Sequence, residues 1–263
     1  MTTQKRQLYI LDTLRKEACL RVTEMADKLG VSESTIRNDL NALENEGRVK
    51  RVHGGAILSE PLQVGNNSFK SRYAKNLDAK RAIAVKAAQF VENGDSILID
   101  ASTTGYCFAC ELSKYEELRV ITNGFEVAQE LARNPSNNVI LIGGAVNYNT
   151  SSVTGLLSEQ IIKDLYVQKA FLSCSGFTIE RGMTELQINE AQLKRKVMGS
   201  CQKMYALIDS SKFGKEDLTP FSSIEEIHKL LTDERISPIW KEKLEQSGIK
   251  TIICSNEADN HYE

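Results

Sequence analysis

A tight turn between two short amphipathic stretches restricts the fold of the N-terminal part more than any other feature of the sequence. The turn "LGVSES" contains Gly30, which permits a left-handed backbone, and Ser32, a residue type that is common at the start of a helix. Ala26 before the turn and Ile36 after it have the spacing at which a small residue lets two helices cross closely. The pattern, continued through Val31, predicts a helix-turn-helix.

Apolar residues at helical spacing predict the inward faces of three helices. They are Leu8, Leu11 and Leu14 in the first helix, Met25, Ala26 and Leu29 in the second, and Ile36, Leu40 and Leu43 in the third. Thr23 is expected to be the N-cap of the second helix, and Ser32 that of the third. The opposite face of the third helix carries hydroxyl and amide groups and one arginine: Ser34, Thr35, Arg37, Asn38, Asn41 and Asn45. Such groups both donate and accept hydrogen bonds, as reading base edges in the major groove of DNA requires.

After Gly47 the sequence "RVKRVHGGAI" predicts a strand, a glycine hairpin and a returning strand. This wing would hold basic side chains against phosphates or an adjacent minor groove. The candidate DNA contacts are Ser32, Ser34, Thr35, Arg37, Asn38, Asn41, Lys50, Arg51 and His53. A three-helix interaction module is the alternative, but it gives the basic hairpin no role. For single residues the alternatives stay open: Arg37 can contact a phosphate, a base, or Glu33 or Asp39, and His53 can be a plain turn residue.

The charge distribution separates the chain into two parts. The net charge is −2, but residues 1–57 carry ten Lys/Arg against eight Asp/Glu, whereas residues 58–263 carry 23 against 27. A nucleic-acid site is therefore expected as a local patch. The six cysteines are scattered, and Cys107 and Cys110 are expected to be two small apolar residues one helical turn apart rather than a redox or metal pair. No secretory signal or membrane-length apolar run is found, which predicts a cytoplasmic protein.

Residues 59–76 contain Pro61, Gly65 and small polar residues without periodicity, and are predicted to be a linker. The expected division is a winged helix-turn-helix over residues 3–58, this linker, and a larger domain over residues 77–255. In the larger domain, short apolar strands alternate with amphipathic helices, which predicts a parallel α/β sheet.

Ligands of parallel sheets bind at the carboxyl ends of the strands. Here these ends carry polar or glycine-rich segments, among them "LIDASTTG", "VITNG", "LIGG", "LSCSG" and "LIDSSKFG". Ser102, Thr103 and Thr104 precede a predicted helix, where hydroxyls and free N–H groups suit a phosphate, although such clusters are also ordinary N-caps. Lys212 supplies a positive charge, or is a solvated loop residue. The set predicts a small, polar, anionic ligand.

The segment "VTEMADKLGVSESTIRNDLNALENEGRVKRVHGGAI" resembles the winged helix-turn-helix of the DeoR family of bacterial transcription regulators. The motifs "IDASTTG", "VITNGFEVA", "LIGGAV", "GMTELQINEAQLKRKVM" and "LIDSSKFG" are similar to those of the sensor domain of the same family. The resemblance implies a sensor fold related to ribose-5-phosphate isomerase. It also implies repression of a sugar-utilisation operon, relieved by a phosphorylated sugar or a related metabolite.

By position, the resemblance implies phosphate contacts from Ser102, Thr103 and Thr104. It implies further contacts around the sugar from Asp100, Asn123, Thr184, Glu190 and Lys212. The sequence departs from the family pattern at three positions, where Asn38 replaces a second arginine, Ala101 a glycine, and Asn147 an arginine. The first alters phosphate anchoring or base preference, and the other two alter the pocket.

The rival interpretation is a sugar-phosphate isomerase with an appended nucleic-acid module. Glu190 and Lys212 could serve such a reaction, but the acidic motif of the related isomerases is absent from "SCSGFTIERG". Single-stranded RNA binding is disfavoured because no aromatic stacking platform is evident. We therefore predict a regulator without catalytic residues, metal or cofactor. Its expected partners are double-stranded operator DNA, a phosphorylated sugar and further copies of itself, since one small reading head buries little surface.

Overall fold

The computed structural model describes residues 2–17, 19–46, 48–58 and 68–255. The chain divides into two compact units, residues 1–65 and 66–263. The elements of the first unit are α1 (Thr3–Lys16), β1 (Leu20–Arg21), α2 (Val22–Leu29), α3 (Glu33–Asn45), β2 (Val49–Val52) and β3 (Gly55–Leu58).

Three helices form the core of the first unit, as the sequence predicts. Ile36, Leu40 and Leu43 of α3 are completely buried. In α1 the inward stripe differs from the prediction: Leu8 is 61% exposed, and Ile10 takes its place beside Leu11 and Leu14. Around the helix axis, with 3.6 residues per turn, Ile10 lies closer in angle than Leu8 to the mean direction of Leu11 and Leu14. Leu8 therefore faces outward.

The two predicted helix starts differ in outcome. Ser32 caps α3, since its side chain accepts a hydrogen bond from the Thr35 N–H. Thr23 does not cap α2, because the helix already begins at Val22, and Arg21 in the cap position makes no side-chain cap bond. Gly30 has the left-handed backbone expected of it, with φ of 62°.

The wing is an antiparallel hairpin of β2 and β3, with Val49 opposite Leu58 and Val52 opposite Gly55. The short strand β1 adds to β3, which gives the order β1-β3-β2. A Cβ atom on Gly55 would lie 2.0 Å from the Leu20 carbonyl oxygen, so only glycine lets these strands approach. Three helices followed by this hairpin confirm the predicted winged helix-turn-helix.

The second unit is larger and contains the remaining elements. They are α4 (Phe69–Ala74), α5 (Leu77–Ala88), β4 (Ser96–Ile99), α6 (Thr103–Glu111), β5 (Arg119–Thr122), α7 (Phe125–Leu131), β6 (Asn138–Leu141), β7 (Ala145–Asn147), β8 (Ser152–Thr154), α8 (Leu156–Lys163), β9 (Val167–Leu172), β10 (Gly176–Thr178), β11 (Gly182–Glu185), α9 (Ile188–Met198), β12 (Cys201–Leu207), β13 (Thr219–Ser222), β14 (Lys229–Asp233), α10 (Pro238–Ser247) and β15 (Thr251–Cys254).

Seven of these strands form one sheet in the order β15-β14-β12-β9-β4-β5-β6. Each pair of neighbours is parallel, which confirms the predicted α/β class. The chain starts at β4, adds strands outward to β6, and then returns to β9 on the other side of β4. The strand order therefore reverses between β4 and β9, the place where open parallel sheets bind ligands.

Both faces of the sheet are covered. Adjacent residues of a strand face opposite sides, so Phe171 of β9 joins the core under α5 and α6, whereas Leu172 joins the core under α8 and α9. Phe171 lies between Phe108 and Tyr205, with ring centroids 4.3 and 4.9 Å away. Among the helices of the described residues, none is long and apolar enough to cross a membrane.

The predicted linker extends too far along the chain. Residues 59–67 lie outside the described residues, but Phe69–Ala74 form the helix α4, capped by Ser68. The Phe69 N–H donates to the Asn149 carbonyl at 2.7 Å, and the Tyr73 ring lies 5.5 Å from the Tyr106 ring. A helix of six residues has too little periodicity to be recognised alone, and here packing on α6 stabilises it.

Candidate functional site

The outward face of α3 presents the polar side chains that the sequence assigned to DNA. Ser32, Ser34, Arg37, Asn38 and Asn41 are exposed, and Thr35 is half-buried. The hydroxyl of Ser32 lies 2.7 Å from that of Ser34 and 2.8 Å from that of Thr35. This end of the helix therefore offers three coupled hydroxyls that can donate or accept.

Two charged residues of α3 have partners within the unit. Arg37 donates to Glu33 at 2.7 Å in an exposed pair one turn apart. Asp39 is buried and binds the guanidinium of Arg6 through both oxygens. Of the intramolecular partners considered for Arg37, Glu33 is therefore the one it contacts, while Asp39 ties α3 to α1.

The wing residues do not share one environment. Lys50 and His53 are exposed, but Arg51 is half-buried. Its guanidinium donates to the Asn41 side-chain oxygen at 2.6 Å, and its backbone N–H donates to Glu44 at 2.9 Å. Arg51 thus fastens the wing to α3 and fixes the Asn41 amide.

In the second unit, a polar cleft of about 410 Å³ opens at the carboxyl ends of β4, β9 and β12. It brings together five of the predicted effector residues: Ser102, Thr103, Thr104, Glu190 and Lys212. The other three, Asp100, Asn123 and Thr184, are 1%, 4% and 0% exposed and do not line the cleft. Each of these three instead makes hydrogen bonds within the wall of the cleft.

The N-terminus of α6 forms one end of the cleft. Ser102 caps this helix by accepting the Gly105 N–H at 2.8 Å, and Asp100 accepts the Ser102 N–H at 3.2 Å. Ser102 therefore has the N-cap role that the sequence analysis gave as the alternative to phosphate binding. The first-turn N–H groups of Thr103 and Thr104 and the helix dipole remain available to an anion.

A buried ion cluster lies directly behind this end. Lys194 of α9 has its ammonium 2.8 Å from Asp100, 2.5 Å from Glu185 and 2.7 Å from the Ser173 carbonyl. Burial alone would lower the pKa of Lys194, but the carboxylates of Asp100, Glu185 and Glu190 outweigh it and raise the pKa. Asp100 also accepts the Ser173 N–H at 2.9 Å, so it joins β4 to β9 at the switch point.

Asn123 and Thr184 complete the wall. Asn123 accepts the Ala101 N–H at 3.0 Å and donates to Glu190 at 3.3 Å. Ser152 also donates to Glu190, whose carboxyl pKa is raised, chiefly by burial. Thr184 donates to the Gly176 carbonyl at 3.1 Å and accepts the Asp217 N–H at 3.0 Å.

Five cations of the cleft were missed by sequence analysis: Lys194, described above, and Arg72, Lys75, Lys80 and Lys215. Arg72 donates to the Thr150 carbonyl at 3.3 Å. Lys80 is buried and donates to the Lys75 carbonyl, and its pKa is lowered, chiefly by burial, with Asp209 opposing the shift. The signal that could have found Arg72, Lys75 and Lys80 is the basic spacing in "KSRYAKNLDAKR", which was divided between a linker and a helix.

Of the two positions at which the larger domain departs from the family pattern, one lines the cleft and the other contacts a residue that lines it. Ala101 lines the cleft and is 6% exposed. Asn147 donates to Gln187 at 2.9 Å, so it braces the β7–β8 hairpin against the segment before α9. Arg72 reaches the same hairpin at Thr150 and places a guanidinium at the cleft.

Two family models match the chain. One, described as a DeoR-like helix-turn-helix domain, matches residues 6–61, and the other, described as the DeoR C terminal sensor domain, matches residues 75–234. These matches confirm the resemblance seen in the sequence.

Curated relatives match over nearly the whole chain. The HTH-type transcriptional regulator GolR of Listeria innocua is 38% identical over 95% of this chain and 98% of its own length. The lactose phosphotransferase system repressor of Streptococcus mutans is 35% identical over 89% and 93%. The L-fucose operon activator of Haemophilus influenzae is 32% identical over 93% and 97%. These relatives are named as regulators, which favours that interpretation over the isomerase-like enzyme.

Among solved structures, ribose 5-phosphate isomerase A of Methanocaldococcus jannaschii is 16% identical, covers 53% of this chain and 55% of its own, and has a TM-score of 0.39.

Proposed function

This chain belongs to the DeoR family of transcriptional regulators, and from that premise we propose that it represses a carbohydrate-utilisation operon and is released from operator DNA by a phosphorylated sugar. Relatives that are named repressors, such as the one for the lactose phosphotransferase system, support the sense of control and the class of operon. An activator also occurs among the relatives, so the sense of control is part of the proposal.

The α3 face supports the DNA contacts. Asn38 and Asn41 suit bidentate hydrogen bonds to adenine, and Ser34 and the exposed arm of Arg37 suit base edges or phosphates. Lys50 and His53 of the wing extend this surface toward phosphates. We propose that Arg51 acts mainly by holding Asn41, since its guanidinium is already bonded to that side chain.

One observation carries the effector proposal: the α6 N-terminus and several cations converge on a single polar cleft at the switch point. The first turn of α6 and the ammonium of Lys212 suit a phosphate, and Lys80 and Arg72 add positive charge to the same cleft. Glu190, which also lines the cleft, can accept hydrogen bonds from sugar hydroxyls. Asp100, Asn123 and Thr184 would then hold these groups in place instead of contacting the sugar.

The proposal is tested by binding to the upstream region of the protein's own gene, at fixed salt, measured by fluorescence anisotropy. Sugar phosphates and their unphosphorylated parents are titrated into the complex. We expect release by a phosphorylated compound and not by its parent. Equal release by both compounds would rule out the phosphate site.

A matched pair of variants locates the site. Lys212→Ala should require about tenfold more effector for release, because one charge-assisted contact of about 1.5 kcal/mol is lost. Its DNA affinity without effector should equal that of the wild type. Lys241→Ala, on the exposed face of α10, removes the same charge outside the cleft and should change neither quantity.

A further inference from the structure

Residues 134–158 form a run of 25 residues without a single Asp, Glu, Lys or Arg, although these four types make up 26% of the chain. The run contains β6, the β7–β8 hairpin and the start of α8. Six of its large apolar side chains are exposed: Ile140, Leu141, Val146, Tyr148, Leu156 and Leu157. An exposed apolar surface without charge is the composition of an interface centre rather than of a solvated face.

The strand β6 is an edge of the seven-stranded sheet. The N–H groups of Asn138 and Ile142 donate to Leu118 and Thr122, both at 2.8 Å, on the inner side. Because alternate residues of a parallel strand bond to the same neighbour, the backbone groups of Val139 and Leu141 point away from the sheet. Natural edge strands are usually protected by charge, proline or a bulge, and β6 contains no proline or charged residue.

The side chains of β6 alternate between the two faces of the sheet. Ile140 faces the same side of the sheet as Ile142, which packs in one core cluster with Ile162 of α8. Leu141 faces the other side, and Ile140 and Leu141, exposed by 41% and 37% at this edge, are called the uncharged surface below.

We propose that the uncharged surface binds a second copy of this chain across a twofold axis, with β6 antiparallel to the same strand of the copy. A twofold axis brings residues close to it against their own copies, so a charge there would meet a like charge. A charge-free run avoids this repulsion at every register. An antiparallel pair of identical strands obeys the same symmetry and satisfies the outward backbone groups of Val139 and Leu141.

The choice of a second copy also rests on the proposed function, because helix-turn-helix proteins read paired half-sites as dimers. The opposite edge strand, β15, offers a contrast within the same sheet. Lys250 directly precedes it, and the adjacent α10 exposes Lys241, Glu242, Lys243 and Glu245. Helix α7, which packs against β6, carries Glu130, but this residue pairs with Arg133 at 2.6 Å, and no charged residue directly precedes or follows β6.

The test is the mass of the full chain without DNA, measured by sedimentation velocity. Ile140→Lys places a charge on β6 at a side chain that is 41% exposed, and Ile253→Lys is its matched control on β15 at 40% exposure. We expect the wild type and Ile253→Lys to have at least twice the chain mass of 29.4 kDa, and Ile140→Lys to have half the wild-type mass or less. A monomeric wild type, or an Ile140→Lys chain of wild-type mass, would overturn the proposal.

Circular dichroism shows whether each variant is folded. Should Ile140→Lys fail to fold, Leu141→Lys on the same strand decides the matter, with the same expected loss of mass. A separate DNA titration distinguishes the two proposals. A chain that dimerises through β6 but binds no DNA refutes only the proposed function, and one that binds DNA while Ile140→Lys keeps its mass refutes only this interface.

Discussion

At the scale of single residues, Lys194 shows how the cleft wall is held together. Its side chain is 7% exposed and joins α9 to Asp100 after β4 and to Glu185 of β11. A buried ammonium between carboxylates is stable only as a complete set, because each ion has lost its hydration.

Lys194→Met should therefore destabilise the second unit by about 3–5 kcal/mol, since it leaves Asp100 and Glu185 buried without a cation. Lys196→Met, two residues along α9 and exposed, should change stability by less than about 0.5 kcal/mol. Urea unfolding of both variants measures the difference. Equal values for the two would contradict the role given to Lys194.

Glu190 predicts a pH dependence. Its pKa is raised above the ordinary 4.5, chiefly by burial, so the folded state binds this proton more tightly than the unfolded state. The stabilisation is then fully present below about pH 4.5 and is lost as the pH rises through the folded pKa. Glu190→Gln cannot titrate, so its stability relative to the wild type should increase with pH over this window. Urea unfolding at several pH values measures the stability difference between the variant and the wild type, and a difference that does not change with pH would contradict this prediction. Glu180→Gln, at an exposed glutamate, serves as the control.

Two residues of the first unit should separate base reading from phosphate contact. Asn38→Ala should change the preferred base at one position of each half-site, because an amide reads a base edge. Lys50→Ala should weaken all sequences alike and lower the slope of log affinity against log salt by about 0.9. Competition among operator variants at several salt concentrations measures both. Uniform weakening by Asn38→Ala, or an unchanged slope for Lys50→Ala, would contradict the respective role.

At the scale of elements, the helix-turn-helix follows from local rules. The turn between α2 and α3 needs φ of 62° at Gly30, where a Cβ atom would meet no other atom within 4 Å. The requirement is therefore one of backbone conformation alone. It could be recognised from the sequence because it involves only adjacent residues.

Gly30→Ala should destabilise the first unit by about 1–2 kcal/mol, the strain of an L-residue in the left-handed region. Gly199→Ala provides the control, since Gly199 ends α9 with φ of −76° and its new Cβ would lie 3.6 Å from the nearest atom. That change should be neutral or stabilising by up to about 1 kcal/mol. Calorimetry of both variants gives the comparison, and a stable Gly30→Ala chain would contradict the strain argument.

Elements with a clear apolar pattern were predicted well, and elements without one were not. β5 has the residues expected of it, Arg119–Thr122, because a buried strand between two helices has a clear apolar run. The β7–β8 hairpin and α4 were missed, since their sequences lack such a run and their structure depends on the surfaces they pack against.

At the scale of the whole molecule, effector and DNA must be linked reciprocally. If an effector weakens operator binding by some factor, the operator weakens effector binding by the same factor. Titration calorimetry of the releasing sugar phosphate, with and without saturating operator, should reproduce the factor found by anisotropy. Equal effector affinity for the free and the DNA-bound protein would contradict release by linkage.

The sequence by itself determined both architectures and the polar face of α3, because helix period, glycine turns and strand–helix alternation act between near neighbours along the chain. It also located four side chains that line the cleft, Ser102, Thr103, Thr104 and Lys212, since the carboxyl ends of parallel strands meet at one edge, and the family resemblance added Glu190. Only the tertiary structure decided that Asp100, Asn123 and Thr184 turn into the wall while Arg72 and Lys80 enter the cleft. The direction of a side chain at a strand end depends on partners such as Lys194 and Glu190, which lie 94 and 67 residues further along the chain than Asp100 and Asn123.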